Sequence, residues 1–325
     1  MCLKMQKKTE TKTKTSITNP QRAGDVDLLR CFGIVLMIMG HIGFGGTFDK
    51  YIHAFHMPLW FVISGYFFNE KKNTYEHIIK KIRTLLIPYL FFSVCYEILW
   101  TLKGHEQWYG IVWPNTIQVP LNGALWFLPA MFMVDIVSFL FLKYIPLKFN
   151  FIIFPMIAIM GSFHLISLPF SADSALVGIG FFFIGYLIKR YGEKLLNLDT
   201  CYVLMLFILN IFGIFYNEYV NVRSNQYGNI LLFWINAVVA VITFWNICRL
   251  IDRRSDTPFL CEIGSKSLIY VCLNQFLLFC IGKLHISLGV SPLLWKIICL
   301  LIVLDVCFIA NRIIERTKLK FILGK

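Results

Sequence analysis

The chain has 325 residues, of which 58% are hydrophobic and 15% charged, with a mean hydropathy of +0.67. A water-soluble domain of this length cannot bury so much apolar surface, so lipid is the solvent for most of it. The formal net charge of +13 does not indicate a nucleic-acid partner, because the basic residues fall in short segments between long apolar runs.

Residues 1–23, "MCLKMQKKTETKTKTSITNPQRA", are polar and lack the apolar core of a signal peptide. They read as a disordered basic cytoplasmic tail. Ten apolar runs follow, at about 26–45, 51–69, 84–102, 124–142, 150–168, 174–188, 200–216, 229–248, 265–282 and 292–311. A crossing helix needs about 20 residues. The expected fold is an all-α polytopic membrane protein of about ten transmembrane helices. One membrane domain over 24–316 would be closed by a short basic cytoplasmic tail, 317–325.

With the N-terminus cytoplasmic, 25 Lys and Arg fall inside and 4 outside, the latter being Lys50, Lys103, Arg223 and Lys283. That asymmetry is the positive-inside pattern, and an even span count puts both termini in the cytoplasm. The ten cysteines show no CxxC pair and no metal-type spacing. They read as apolar packing residues, and no metal is expected.

The first run, "GDVDLLRCFGIVLMIMGHIGFGG" (24–46), carries Arg30 and His41. Ionisable side chains inside a span are expensive and mark function. Eleven residues at 100° each bring the two onto one helix face, roughly 16 Å apart along the axis. That suits a donor with an anionic head near the cytoplasm and a long arm reaching His41. Against this stand a snorkelling Arg30 and a His41 bonded to a neighbouring carbonyl. Asp27 is spaced to pair with Arg30, and the run's glycines leave room for close backbone approach.

The second run, "IHAFHMPLWFVISGYFF" (52–68), brings His53 and His56 near His41 after a short loop, with Pro58 tolerated in the first helical turn. Ser64-Gly65 reads as a close helix contact rather than a nucleophile. The long outer segment 103–123 carries Trp108, Tyr109 and Trp113, and reads either as an acceptor contact or as a packed lid. Glu97, Asp135, His164 and Asp305 are polar residues that either line a cavity or pair between helices.

Arg30 and His41, with "FHMPLWFVISGYFF", "KKIRTLLIPYL" (80–90), "ALWFLPAMF" (124–132) and "IGSKSLIYVCLNQ" (263–275), resemble the acyltransferase 3 family of integral membrane proteins. The first two motifs are similar to its fucose 4-O-acetylase-like branch. The resemblance runs from about Asp25 to the end, and includes the span count. Where the family often has histidine after "SLIYVCL", this chain has Asn274.

The resemblance implies an enzyme that transfers an acyl group, usually acetyl from acetyl-CoA, to a hydroxyl of a sugar or related surface molecule. His41 is then the expected general base, with a transient acyl-histidine as the alternative. Arg30, Lys81 and Arg83 are expected at the phosphates of acyl-CoA. His53, His56, Trp126 and Asn274 are expected at the acceptor, a cell-surface polysaccharide or its lipid-linked precursor. Trp126 also suits interface anchoring. The expected location is a bacterial plasma membrane. The competing reading is a polytopic transporter or polysaccharide exporter, although no paired broken helices or inverted halves stand out.

Overall fold

The computed structural model describes residues 24–163, 167–282 and 291–324. The basic tail expected over 1–23, His164 and Lys283 lie outside the described residues.

The described chain is mainly helical. It opens with α1 (Gly24–Ile42), α2 (Gly46–His53), α3 (His56–Tyr66) and α4 (Thr74–Lys81). A π-helical turn, Ile82–Leu86, joins α4 to α5 (Ile87–Thr101). Then come α6 (Phe127–Tyr144), α7 (Leu147–Ser162), α8 (Ala172–Tyr191) and α9 (Thr200–Tyr216). The chain ends with α10 (Ile230–Arg254), α11 (Pro258–Ser265), α12 (Ser267–Gly282) and α13 (Pro292–Glu315).

Among the described residues, five helical stretches are long and apolar enough to cross a membrane: 74–101, 123–144, 169–191, 230–254 and 292–315. α11 and α12 pass the same test only as a pair bent by 81°, which makes up to six. α7 and α9 are apolar but shorter, and the 19-residue α1 carries Asp25, Asp27 and Arg30.

One expected run is not a single helix: the second is broken at Ala54-Phe55 into α2 and α3, whereas the ninth matches α12 and begins at its bend from α11. Hydropathy reports apolar composition, which a broken helix shares with a straight one. The glycines after His41 also do a different job from the one expected. Gly43, Gly45 and Gly46 have positive φ and form the turn into α2, a conformation that favours glycine. The Asp49 carboxylate closes that turn, accepting from the N–H groups of Phe44 (3.0 Å) and Gly45 (2.7 Å).

α1 is the hub of one side of the molecule, packed on α3, α10, α11, α12 and α13. Its first turn is tied to α10, because Asp25 accepts from Arg249 Nε at 3.0 Å and Trp245 Nε1 at 3.3 Å. The acid sits at the helix end where negative charge is favoured. α8 is the hub of the other side, against α3, α6 and α7. Large apolar side chains stay exposed on α7 (Ile152, Met156), α9 (Leu204, Ile208, Phe212) and α13 (Leu301, Ile309). Such rows are costly in water and neutral in hydrocarbon.

The terminal segment expected as a short tail forms a 3₁₀ helix, Lys318–Leu323. It packs on the Ile82–Leu86 turn and α5, burying Ile322 and Leu323.

Candidate functional site

Two cavities lie along α1. The first, about 230 Å³, is lined by His41, His53, His56, Trp126, Gln118, Asn221, Arg223 and Gln275, among others. The second, about 540 Å³, is lined by Arg30, Lys80, Lys81, Ser64, Lys266, Asn311 and Leu323, among others. Trp60, Phe127 and Val271 line both and form a partition between them. Arg30 and His41 thus occupy different cavities on one helix, separated by three turns.

In the histidine cavity the break at Ala54-Phe55 matters. It lets α2 end on His53 and α3 begin on His56, with ring centroids 5.1 Å apart. Each donates Nδ1–H to a backbone carbonyl, His53 to Asp49 at 2.8 Å and His56 to Ile52 at 3.0 Å. A carbonyl can only accept, so Nε2 of each neutral ring carries the lone pair. His41 reaches the same state by another route. The Asn274 amide nitrogen donates to the carbonyls of Tyr270 (2.7 Å) and Val271 (3.1 Å). Its oxygen therefore faces His41 Nδ1 at 2.6 Å, and His41 Nδ1–H is the donor. All three histidines keep a basic nitrogen available.

Asn274 itself is fully buried and does not line the cavity. The acceptor contact expected of it is replaced by a hold on His41, because both ends of its amide are already engaged. Trp126 is buried in the cavity wall at the start of α6, which is not the setting of an interface anchor. From 103–123 the cavity receives Gln118, whereas Trp108 and Tyr109 are exposed.

Arg223, Gln118 and Gln275 are functional candidates that the sequence reading did not select. Arg223 entered it only as one of four outer basic residues, and Gln275 only as the last letter of a motif. They come from loops and helices far apart in the chain, so no local spacing links them.

The basic cavity collects Arg30, Lys80, Lys81 and Lys266 from α1, α4 and the α11–α12 bend. Arg30 pairs with Asp27 at 3.0 Å through one nitrogen, leaving the rest of its fork of donors. Lys81 is 2.6 Å from Asp135, which also binds His77 at 2.5 Å and accepts from Ser64 at 3.4 Å. Asp135 is therefore an inter-helix tie, while Glu97 is buried and Asp305 is exposed. Arg83 is exposed and absent from the lining. Lys80, Lys81, Thr84 and Leu85 supply that wall at helical spacing, and Arg83 falls on the opposite face. The place expected for Arg83 is taken by Lys80. Lys266, read in the sequence only as a topology residue, joins it, paired with Glu262 at 2.8 Å and Glu315 at 3.3 Å.

Among the described residues no group of three or more His, Cys, Asp or Glu is spaced to hold a metal ion. The arrangement can bind anions in one cavity and take a proton in the other. Comparison with known proteins bears on what that combination serves. The acyltransferase 3 family model, described as an acyltransferase domain, matches residues 24–312. No curated protein and no solved structure gives a significant match.

Proposed function

Because the chain belongs to the acyltransferase 3 family across residues 24–312, we propose that it O-acetylates a cell-surface sugar, taking the acetyl group from cytoplasmic acetyl-CoA. Family membership makes it a membrane acyltransferase, which sets aside the transporter reading. The observation that supports the finer reading is the shared partition. One helix carries a basic cavity and a histidine cavity, and Trp60, Phe127 and Val271 touch both.

In this reading the ten apolar runs all cross a bacterial plasma membrane, both termini are cytoplasmic, and the basic cavity faces inward. Arg30, Lys80, Lys81 and Lys266 hold the CoA phosphates, which suit lysine as point charges and arginine as a directed fork. The uncharged arm of CoA passes the partition and brings its thioester to His41. The acceptor hydroxyl lies in the histidine cavity. His41 Nε2 takes its proton as the hydroxyl oxygen attacks the thioester carbonyl. The carbon–sulfur bond then breaks, the imidazolium returns the proton to the thiolate, and the acetyl ester and free CoA leave. Asn274 acts on this step through His41, fixing which nitrogen is basic.

Comparing surface glycans by mass, from cells with and without the gene, tests the reading. Loss of one or more acetyl groups in the deletion strain is expected, with recovery on complementation. Identical glycan masses in the two strains would overturn it.

A further inference from the structure

The loop between α9 and α10 presents an arginine, Arg223, that no carboxylate among the described residues neutralises. Residues 217–229 form a compact turn. Asn221 and Gln226 pair backbone to backbone at 2.7 and 3.0 Å. The Asn217 side chain spans the base, donating to the Tyr227 carbonyl at 3.1 Å and accepting from Asn229 N–H at 2.8 Å. Ser174 on α8 donates to the Arg223 carbonyl at 3.2 Å, which anchors the tip. Val220, Val222 and Tyr227 are buried beneath it. Arg223 therefore leaves a fixed backbone and enters the histidine cavity.

Within the cavity its Nη1 lies 3.2 Å from the point where a Cβ on Gly123 would sit. The amide oxygens of Gln118 and Gln275 lie 2.8 and 3.4 Å from the same point. Yet among the described residues no carboxylate and no hydrogen-bonding side chain engages the guanidinium. The lining of this cavity contains no Asp or Glu among the described residues. Burial lowers the Arg223 pKa from its ordinary value, the direction for a cation with no anion beside it. A half-buried, unpaired guanidinium on the side of the molecule with few basic residues is costly unless a ligand supplies the charge.

We propose that the acceptor is anionic: a sugar bearing a carboxylate or phosphate, which Arg223 grips while a neighbouring hydroxyl of the same molecule meets His41. This rests on the acetyl-transfer reading above and adds the chemical class of the acceptor. A guanidinium matches either oxyanion through paired N–H donors. At about 230 Å³ the cavity is below the range of roughly 300–1,000 Å³ for drug-sized ligands, and suits one charged ring rather than a chain.

The test uses the full chain purified in detergent, titrated with methyl glucuronide, glucose 6-phosphate and the neutral methyl glucoside. Wild type is expected to bind at least one charged probe about tenfold or more tightly than the neutral one. Arg223→Gln should bring all three level without changing the neutral affinity, which also reports that the variant is folded. Arg223→Lys should fall between, because it keeps charge and loses the fork. The stronger of the two charged probes identifies the oxyanion. Equal affinity in wild type, including no measurable binding of any probe, overturns the proposal. So does an Arg223→Gln variant that weakens charged and neutral probes alike, since the arginine would then be structural. CoA release on adding acetyl-CoA is scored separately. Charge-selective binding without release would leave the anion site standing and remove the acetyl-transfer reading.

Discussion

Replacing His41 with alanine removes the imidazole that α1 contributes to the histidine cavity. The protein should still insert, while acetyl transfer falls by about 10²- to 10⁴-fold, the usual worth of general-base assistance. Transfer near the normal rate would move the chemistry to His56 or His53. Asn274→Ala should lower kcat by roughly 10- to 100-fold, as expected for a lost buried hydrogen bond, and leave the half-saturating acetyl-CoA concentration unchanged. Combining it with His41→Ala should cost nothing further; an additive double variant would separate Asn274 from the imidazole. At the other end of α1, Arg30 tells donor binding from anchoring. A snorkelling arginine is replaced equally well by lysine, but a forked phosphate contact is not. Arg30→Lys is thus expected to raise the half-saturating acetyl-CoA concentration with less change in the response to acceptor. An unchanged donor titration would favour plain anchoring. Arg30, His41 and the histidines of the second run were all legible in the sequence because they lie within 27 residues of each other. Arg223, Gln118 and Gln275 were not, since only the folded chain brings loops and helices more than 50 residues apart to one hollow.

At the scale of elements, one close helix contact read from the sequence was Ser64-Gly65. The structure gives the glycine a definite task. A Cβ at Gly65 would lie 1.8 Å from the carbonyl oxygen of Phe182, so α3 and α8 touch backbone to backbone there. Gly65→Val should separate these helices and cost about 1–3 kcal/mol, the scale of overpacking, seen as a lower unfolding temperature in detergent. Gly282→Ala is the control, because a Cβ there meets no described atom within 4 Å; it should leave that temperature unchanged or raise it. If the two variants melt together, the contact between α3 and α8 is looser than drawn. The apolar runs of the sequence pointed to an all-α membrane protein but did not reveal the break between α2 and α3 or the 81° bend between α11 and α12. The first falls inside a run that stays apolar and so leaves no trace in hydropathy, while the second lies at the polar Ser265-Lys266 edge of the ninth run. Both also bear on the cavities: the first brings His53 and His56 together, and the second offers Lys266.

For the whole molecule, the side of the membrane on which each cavity opens follows from where lysine and arginine lie. The split of 25 to 4 predicts cytoplasmic termini, with 103–123 outside. In a cysteine-free background, an impermeant maleimide applied to intact cells should label a cysteine at Tyr109 and spare one at Lys72. Labelling at Lys72 with none at Tyr109 would invert the molecule, and the basic cavity would then face away from cytoplasmic CoA. Both test positions are exposed, so failure to react reports sidedness rather than burial.

The partition of Trp60, Phe127 and Val271 has an electrical consequence. Moving one elementary charge through the full potential of a membrane costs about 2.3 kcal/mol per 100 mV, and CoA carries several negative charges on its phosphates. If only the neutral arm threads the partition, those phosphates stay on their own side and do no work against the field. The proton moves only as part of a neutral group, leaving a hydroxyl in the histidine cavity and returning toward the CoA side as the S–H of the thiol. On the proposed acetyl-transfer reading, acetyl groups would then pass through an energised membrane while its voltage is left undrained, driven by the free energy of the thioester alone.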